Sequence, residues 1–377
     1  MSTARNRPIS RRGALAAGTA ALAGGLGLAG QAAAARRRVQ PQVTLTPAQR
    51  AGQRVIYSYP GLTPPDRLLD AISGGRAAGV IFFGENISSA SQIRGVVDQL
   101  NEANEAAPIK APLLLMTDQE GGLVRRLPGE PTQSAKEVGQ SSDPEGAARD
   151  TGTAAAENLA GAGMNVNLAP VLDVYRKEGD FEDQYERSYS KDPDTVATLG
   201  TDFITAQQDG GVAATAKHFP GLGSAAAGQN TDEEPVSLSA SLSTLRGTDE
   251  APYRAAITAG VQLVMLSWAV YPALDPDVPA GFSPKVVGEL RDRLGYKGVT
   301  ITDALEAGAL QNYGGVAERA VAATAAGMDL ILCSARDVAQ GHDAVAAIRD
   351  ALADGGLDGA AFDAGAKRVG ALRTALA

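Results

Sequence analysis

In 377 residues this chain has one cysteine, Cys333, and two histidines, His218 and His342. A single thiol excludes an internal disulfide, and no cysteine lies near the N-terminus to carry a lipid anchor. One well-placed histidine and one distant cysteine cannot make a usual zinc site. A carboxylate-only magnesium site stays open, but no Gly-rich lysine motif that cradles phosphate accompanies it. There is no G-x-S-x-G elbow for a serine triad, and no G-x-G-x-x-G after the first apolar run for a dinucleotide. No cofactor is expected.

Long hydrophobic runs are also lacking. The longest candidate follows Ser10-Arg11-Arg12-Gly13-Ala14-Leu15 and extends to about Ala35. Glycines dilute it, and it is too short and too weakly apolar to span a bilayer, which takes about 20 apolar residues. Arginines, a short apolar stretch and small residues near Ala33 to Ala35 read as a twin-arginine export signal over residues 1–35. A disordered basic tail would explain the arginines but not the apolar run. Cleavage after Ala35 removes Arg5, Arg7, Arg11 and Arg12 and takes the formal charge from −9 to −13. An acidic mature protein is a poor partner for nucleic acid or anionic membranes and suits a soluble enzyme acting on neutral ligands. Residues 36–377 have no long linker and are read as one domain.

Eight short apolar runs recur along that domain, separated by helix-patterned stretches. They are Arg54–Tyr57, Gly79–Phe83, Pro112–Met116, Val166–Leu172, Val212–Ala216, Leu263–Leu266, Val299–Thr302 and Asp329–Leu332. Near-continuous apolar runs suit strands buried on both faces, as in parallel sheet. Several intervening helices open on Asp-Pro or Ser-Pro, and several end at a glycine (Gly163, Gly210, Gly260, Gly295, Gly327) placed for a left-handed cap. Eight alternations predict an α/β fold of the TIM (β/α)8 type, with a doubly wound open sheet as the runner-up. Two further helices, Val338–Ala353 and Phe362–Ala375, are expected outside the barrel.

Barrel enzymes carry their chemistry at the C-terminal ends of the strands. Here the third run is followed by Asp118-Gln119-Glu120, the fourth by Asp173, the fifth by Lys217-His218 and the seventh by Asp303. Each has an ordinary alternative: Asp118 and Asp173 as caps, Lys217 as a structural ion pair, His218 as a core histidine. Their convergence on one rim favours a polar pocket for a hydroxyl-rich ligand. His342 reads as surface. With metal and serine chemistry disfavoured, paired carboxyl chemistry on a sugar is the class that survives.

Five ordered motifs then give a resemblance covering about Arg54 to Leu332. They are Asp118-Gln119-Glu120-Gly121-Gly122 with Val124 and Arg126, Leu168 through Val174, Glu186-Arg187-Ser188-Tyr189, Lys217-His218-Phe219-Pro220-Gly221, and Gly298 through Asp303. Together they resemble the β-N-acetylhexosaminidase branch of glycoside hydrolase family 3. The resemblance implies an exo-acting, retaining enzyme that removes N-acetylglucosamine from cell-wall fragments and related glycosides. It implies sugar binding by Asp118, Arg126, Arg187, Lys217 and His218, with Asp303 as nucleophile.

The chain also departs from the branch. Leu222 replaces a histidine, and Gly228 and Asn230 occupy the positions of an Asp-x-His dyad that supplies the acid and base. Leu123, Trp268 and Ala304 replace an arginine, a histidine and an aspartate. The acid is therefore expected from Asp232, ahead of Glu233 or Glu234, on the same loop. A different exo-glycosidase specificity such as β-glucosidase, and a carbohydrate-binding barrel with impaired turnover, are the alternatives.

Overall fold

All eight apolar runs contain strands. The computed structural model describes residues 44–377. The export signal expected over residues 1–35 lies outside them. The strands are β1 (Val55–Tyr57), β2 (Gly79–Ile81), β3 (Leu114–Thr117), β4 (Val166–Asn167), β5 (Ala213–Phe219), β6 (Leu263–Leu266), β7 (Val299–Thr302) and β8 (Ile331–Leu332). They pair in parallel in the order β8-β1-β2-β3-β4-β5-β6-β7. A parallel bridge from Ile301 to Leu330 joins the two ends. The ring is a TIM barrel, which removes the open-sheet alternative.

Alternation along each strand divides the core in two. Ile56, Met116, Leu263, Met265 and Ile301 fill the interior, whereas Tyr57, Leu115, Val264 and Leu266 pack against the surrounding helices. The helix starts follow their sequence signals. Asp143, Asp192 and Ser283 each accept a backbone N–H from the first turn, with Pro144, Pro193 and Pro284 at the first helical position. Of the glycines expected in left-handed caps, Gly163, Gly260, Gly295 and Gly327 have positive φ. Gly210 does not: its φ is −77°, and Gly211 makes the turn at +82°.

Of the two C-terminal helices expected outside the barrel, one is found there and one is not. Val338–Ala353 is the eighth barrel helix, packed beside β1. His342 on it is partly buried, its ring edge-on to Tyr57 at 5.6 Å. The last helix, Gly359–Ala375, does not lie outside the ring. Its Val369 and Leu372 join the interior cluster, and Arg373 donates to the carbonyls of Ala111 and Pro112 just ahead of β3. It therefore seals the end of the barrel where the strands begin, burying apolar side chains that water would otherwise reach.

A buried ion cluster secures the same end. Asp329, fully buried before β8, meets Arg291 at 2.5 Å and Arg368 at 2.7 Å and accepts the Thr300 N–H. Buried Arg54 donates to the Asp329 carbonyl. Removing the carboxylate leaves guanidinium groups buried without their counter-charge. Asp329→Ala is expected to lower stability by about 3–5 kcal/mol, measured by urea unfolding.

Candidate active site

The other end of the barrel opens into a cavity of about 560 Å³. Ile81, Leu168, Met265 and Leu332 from the barrel interior form its apolar floor, and the loops after the strands form its walls. All seven residues expected from the sequence line it: Asp118, Arg126, Arg187, Lys217, His218, Asp232 and Asp303.

Strand β5 delivers the central pair. It runs to Phe219, so Lys217 and His218 lie within it rather than beyond its end. A register shift against β6 between Ala216 and Phe219 marks the spot. Lys217 Nζ is 2.7 Å from both Asp118 Oδ1 and Glu120 Oε1. Arg187, on the loop after β4, grips the same Glu120 carboxylate with Nε and Nη2, each at 2.9 Å. Asp118 is thus an ion-pair partner rather than a cap. Burial alone would raise the Glu120 carboxyl, but Arg187 and Lys217 outweigh it and hold the group well below the usual carboxylate range. Burial likewise opposes the Lys217 charge, and Asp118 and Glu120 reverse that, so the ammonium titrates above its ordinary value.

His218 Nδ1 lies 2.7 Å from Asp173 Oδ2. The opposite oxygen of Asp173 accepts the Leu222 N–H at 2.6 Å. Burial disfavours the imidazolium, yet Asp173 prevails and raises the His218 pKa. Leu222, at the position of a histidine in the resembled branch, is buried and serves here through its backbone. Asp173, Glu182 and His218 come within 4.8 Å of one another. Arg187, which grips Glu120, also sits 3.2 Å from Glu182 and offsets part of the group's negative charge.

The second wall carries Asp303, the first residue past β7, whose Oδ1 accepts the Ala304 N–H at 2.7 Å. Trp268 stands behind it and donates its indole N–H to the Ala304 carbonyl at 2.8 Å. Facing it is the turn Asn230–Glu234. Asn230 Oδ1 accepts the Asp232 N–H at 3.0 Å, and the Asn230 carbonyl accepts the N–H groups of Glu233 and Glu234. The residue at the lost dyad position therefore shapes the turn that presents Asp232. Glu233 and Glu234 do not line the cavity. Solvent reaches Asp232 from the pocket side, but desolvation by the surrounding walls, followed by repulsion from Asp303, pushes its carboxyl up to about 6.

That turn is fastened to the segment carrying Asp303. Gly308 donates to the Asp232 carbonyl at 2.8 Å and Ala309 to that of Thr231 at 3.0 Å. Gly308 approaches so closely that a Cβ there would collide with the Glu233 backbone.

Sequence reasoning missed several wall residues. Glu306, three positions past Asp303, lines the cavity, with its carboxylate held by Ser334 Oγ at 2.8 Å and Gln340 Nε2 at 3.0 Å. Phe83, Phe181, Tyr185 and Arg336 also line it. Glu306 and Arg336, on the loops after β7 and β8, were within reach of the rule that reads loops after strands. Leu123, by contrast, is exposed on the hairpin turn between Gln119–Gly121 and Val124–Arg125 and does not line the cavity.

Residues 59–372 match the model of the glycosyl hydrolase family 3 N-terminal domain. The chain belongs to glycosyl hydrolase family 3. It is 47% identical to an uncharacterized secreted glycosyl hydrolase of Arthroderma benhamiae, over 89% of this chain and 96% of that one. It is 35% identical to a β-hexosaminidase of Xanthomonas campestris pv. campestris, over 71% of this chain and 81% of the relative. The solved structure of a family 3 β-N-acetylglucosaminidase from Paenibacillus sp. str. FPU-7 superposes with a TM-score of 0.83 at 34% identity. That match covers 88% of this chain and 63% of the Paenibacillus chain, so this chain spans less than two thirds of it. As a family 3 glycoside hydrolase, the protein has carbohydrate as its substrate.

The fastening of the Asp232 turn is testable. In this family 3 enzyme Gly308→Ala is expected to push the turn away from Asp303 and lower kcat/KM for a glycoside by roughly 100-fold, with an unchanged circular dichroism spectrum.

Proposed function

We propose that this family 3 enzyme hydrolyses terminal β-linked N-acetylglucosamine with net retention, using Asp303 as nucleophile and Asp232 as acid and base. The observation that carries the reading is the pair of carboxyl groups on one cavity, with Asp232 raised to about 6 by its surroundings and by Asp303. Two carboxyl groups pushed to different protonation states are what double displacement at a sugar requires. Sugar choice follows the names of the relatives, and residues 36–377 form the mature catalytic domain. Export through a twin-arginine signal over residues 1–35 agrees with the secreted relative.

In the first step a carboxylate oxygen of Asp303 bonds to the anomeric carbon. The glycosidic C–O bond breaks, and the departing oxygen takes the Asp232 proton. In the second step ionised Asp232 removes a proton from water, the water oxygen bonds to the anomeric carbon, and the Asp303 carboxylate leaves. Lys217, Arg187, Arg126, Asp118 and His218 hold the sugar hydroxyls. Among the described residues Arg126 Nε finds no hydrogen-bond partner within the protein, which suits a group that waits for ligand. Glu306 is tied to Ser334 and Gln340 and is less available as the acid.

Asp303→Asn is expected to abolish turnover. Asp232→Asn should lose about 10²- to 10⁴-fold on alkyl N-acetylglucosaminides and far less on aryl ones, whose leaving groups need little proton transfer. Undiminished alkyl cleavage by Asp232→Asn would overturn the acid assignment. Binding of N-acetylglucosamine without turnover of either substrate by the unaltered enzyme would overturn the enzymatic reading.

A pH profile adds an independent check. Asp232 donates only while protonated, so alkyl kcat/KM should decline tenfold per pH unit above about pH 6. The aryl substrate should not share that decline in its first step.

A further inference from the structure

Glu182 takes no part in the reaction as written. It lies in the short helix Phe181–Gln184 on the loop after β4, and its carboxylate is fully buried. Its Oε2 is 3.2 Å from Arg187 Nη1, outside hydrogen-bond geometry, and no other donor reaches that oxygen. Its Oε1 accepts a long hydrogen bond from Arg187 Nη1 at 3.4 Å and is 3.9 Å from His218 Nδ1. A carboxylate removed from water without a full set of donors costs stability, so its presence calls for a use.

The surrounding charges suggest that use. Asp118 and Glu120 are matched by Lys217 and Arg187. Arg187 is shared with Glu182, so two cations serve three carboxylates there, and Asp173 and Glu182 both face His218 Nδ1. A neutral histidine needs a single acceptor at Nδ1, and Asp173 at 2.7 Å is enough. Arg187 offsets part of the second carboxylate, and its remaining field at Nδ1 favours a positively charged ring. With Nδ1 engaged, Nε2 is the ring nitrogen left for the cavity that His218 lines.

We propose that Glu182 is a positioning residue that keeps His218 as an imidazolium above neutral pH, so that Nε2 continues to donate a hydrogen bond to the ligand. The groups facing Glu182 are Arg187, Asp173, His218 and Glu120, with Tyr253 and Tyr271 behind them. Burial drives the Glu182 carboxyl up to about 7, with Arg187 opposing and Asp173 reinforcing the rise. The sign follows. Below about pH 7 Glu182 is largely neutral, and Asp173 alone supports the ring. As pH rises, Glu182 loses its proton, and the new negative charge holds the imidazolium where it would otherwise discharge.

This inference concerns the sugar-holding histidine of the reading above, but its main test needs neither substrate nor turnover. The chain has only two histidines, so ¹⁵N spectra of the imidazole nitrogens follow each one, and His342→Gln assigns the signals. In the unaltered protein His218 should remain doubly protonated beyond the ordinary histidine value of about 6.5. In Glu182→Gln its midpoint should fall by at least one pH unit, and Glu182→Asp should restore part of the difference. KM for an aryl N-acetylglucosaminide should match the unaltered enzyme at pH 5.5 and rise about tenfold at pH 8, one unit of protonation being a factor of ten. A merely structural role would weaken binding equally at both pH values. An unchanged His218 titration in Glu182→Gln overturns the proposal, and if that variant does not fold, a His218 midpoint at or below 6.5 in the unaltered protein does so. Failure of turnover with the titration intact would count against the function proposed above and not against Glu182.

Discussion

The pocket depends on one carboxylate shared by two cations. Glu120 is gripped along its edge by Arg187 and met end-on by Lys217, which also holds Asp118. Each of these groups would be costly to bury alone, and each is affordable because the others are there. The arrangement joins the loop after β3, the loop after β4 and strand β5 at one point. Lys217 and Arg187 cannot drift without leaving charge unmatched, and both line the cavity. A sugar binding here meets an electrostatic surface organised before it arrives.

Around that core the chain has exchanged parts while keeping the geometry. Leu222 gives Asp173 a backbone N–H where the resembled branch has an imidazole. Asn230 forms a turn where that branch has a proton carrier. Trp268 and Ala304, both departures, meet through an indole hydrogen bond that supports the start of the Asp303 loop. The substitutions thus form a local set. Asn230 shapes the turn that carries Asp232, and Trp268 and Ala304 steady the start of the Asp303 loop, whereas any one of them read alone looks like a loss.

Much of this was legible in the sequence because buried parallel strands and proline-capped helices leave strong local signals. The eight runs, the Asp143, Asp192 and Ser283 caps and the polar residues after the strands are all short-range patterns. What the sequence hid depends on distant partners. Nothing local to Gly359–Ala375 says that Val369 and Leu372 will plug the barrel rather than coat it, since an apolar stripe reads alike in either setting. Glu182 was hidden for the same reason: a glutamate on a polar loop is usually solvated, and only the fold brings it beside His218. The shift from Gly210 to Gly211 is the ordinary ambiguity of a Gly-Gly pair at a helix end.

The two backbone hydrogen bonds from Gly308 and Ala309 to the Asp232 turn have a mechanical meaning. Gly308 lies on the same short segment as Asp303, so both carboxyl groups are mounted on one strut. When the mouth of the barrel breathes, they travel together, and their spacing is a local property of that strut rather than of the whole rim.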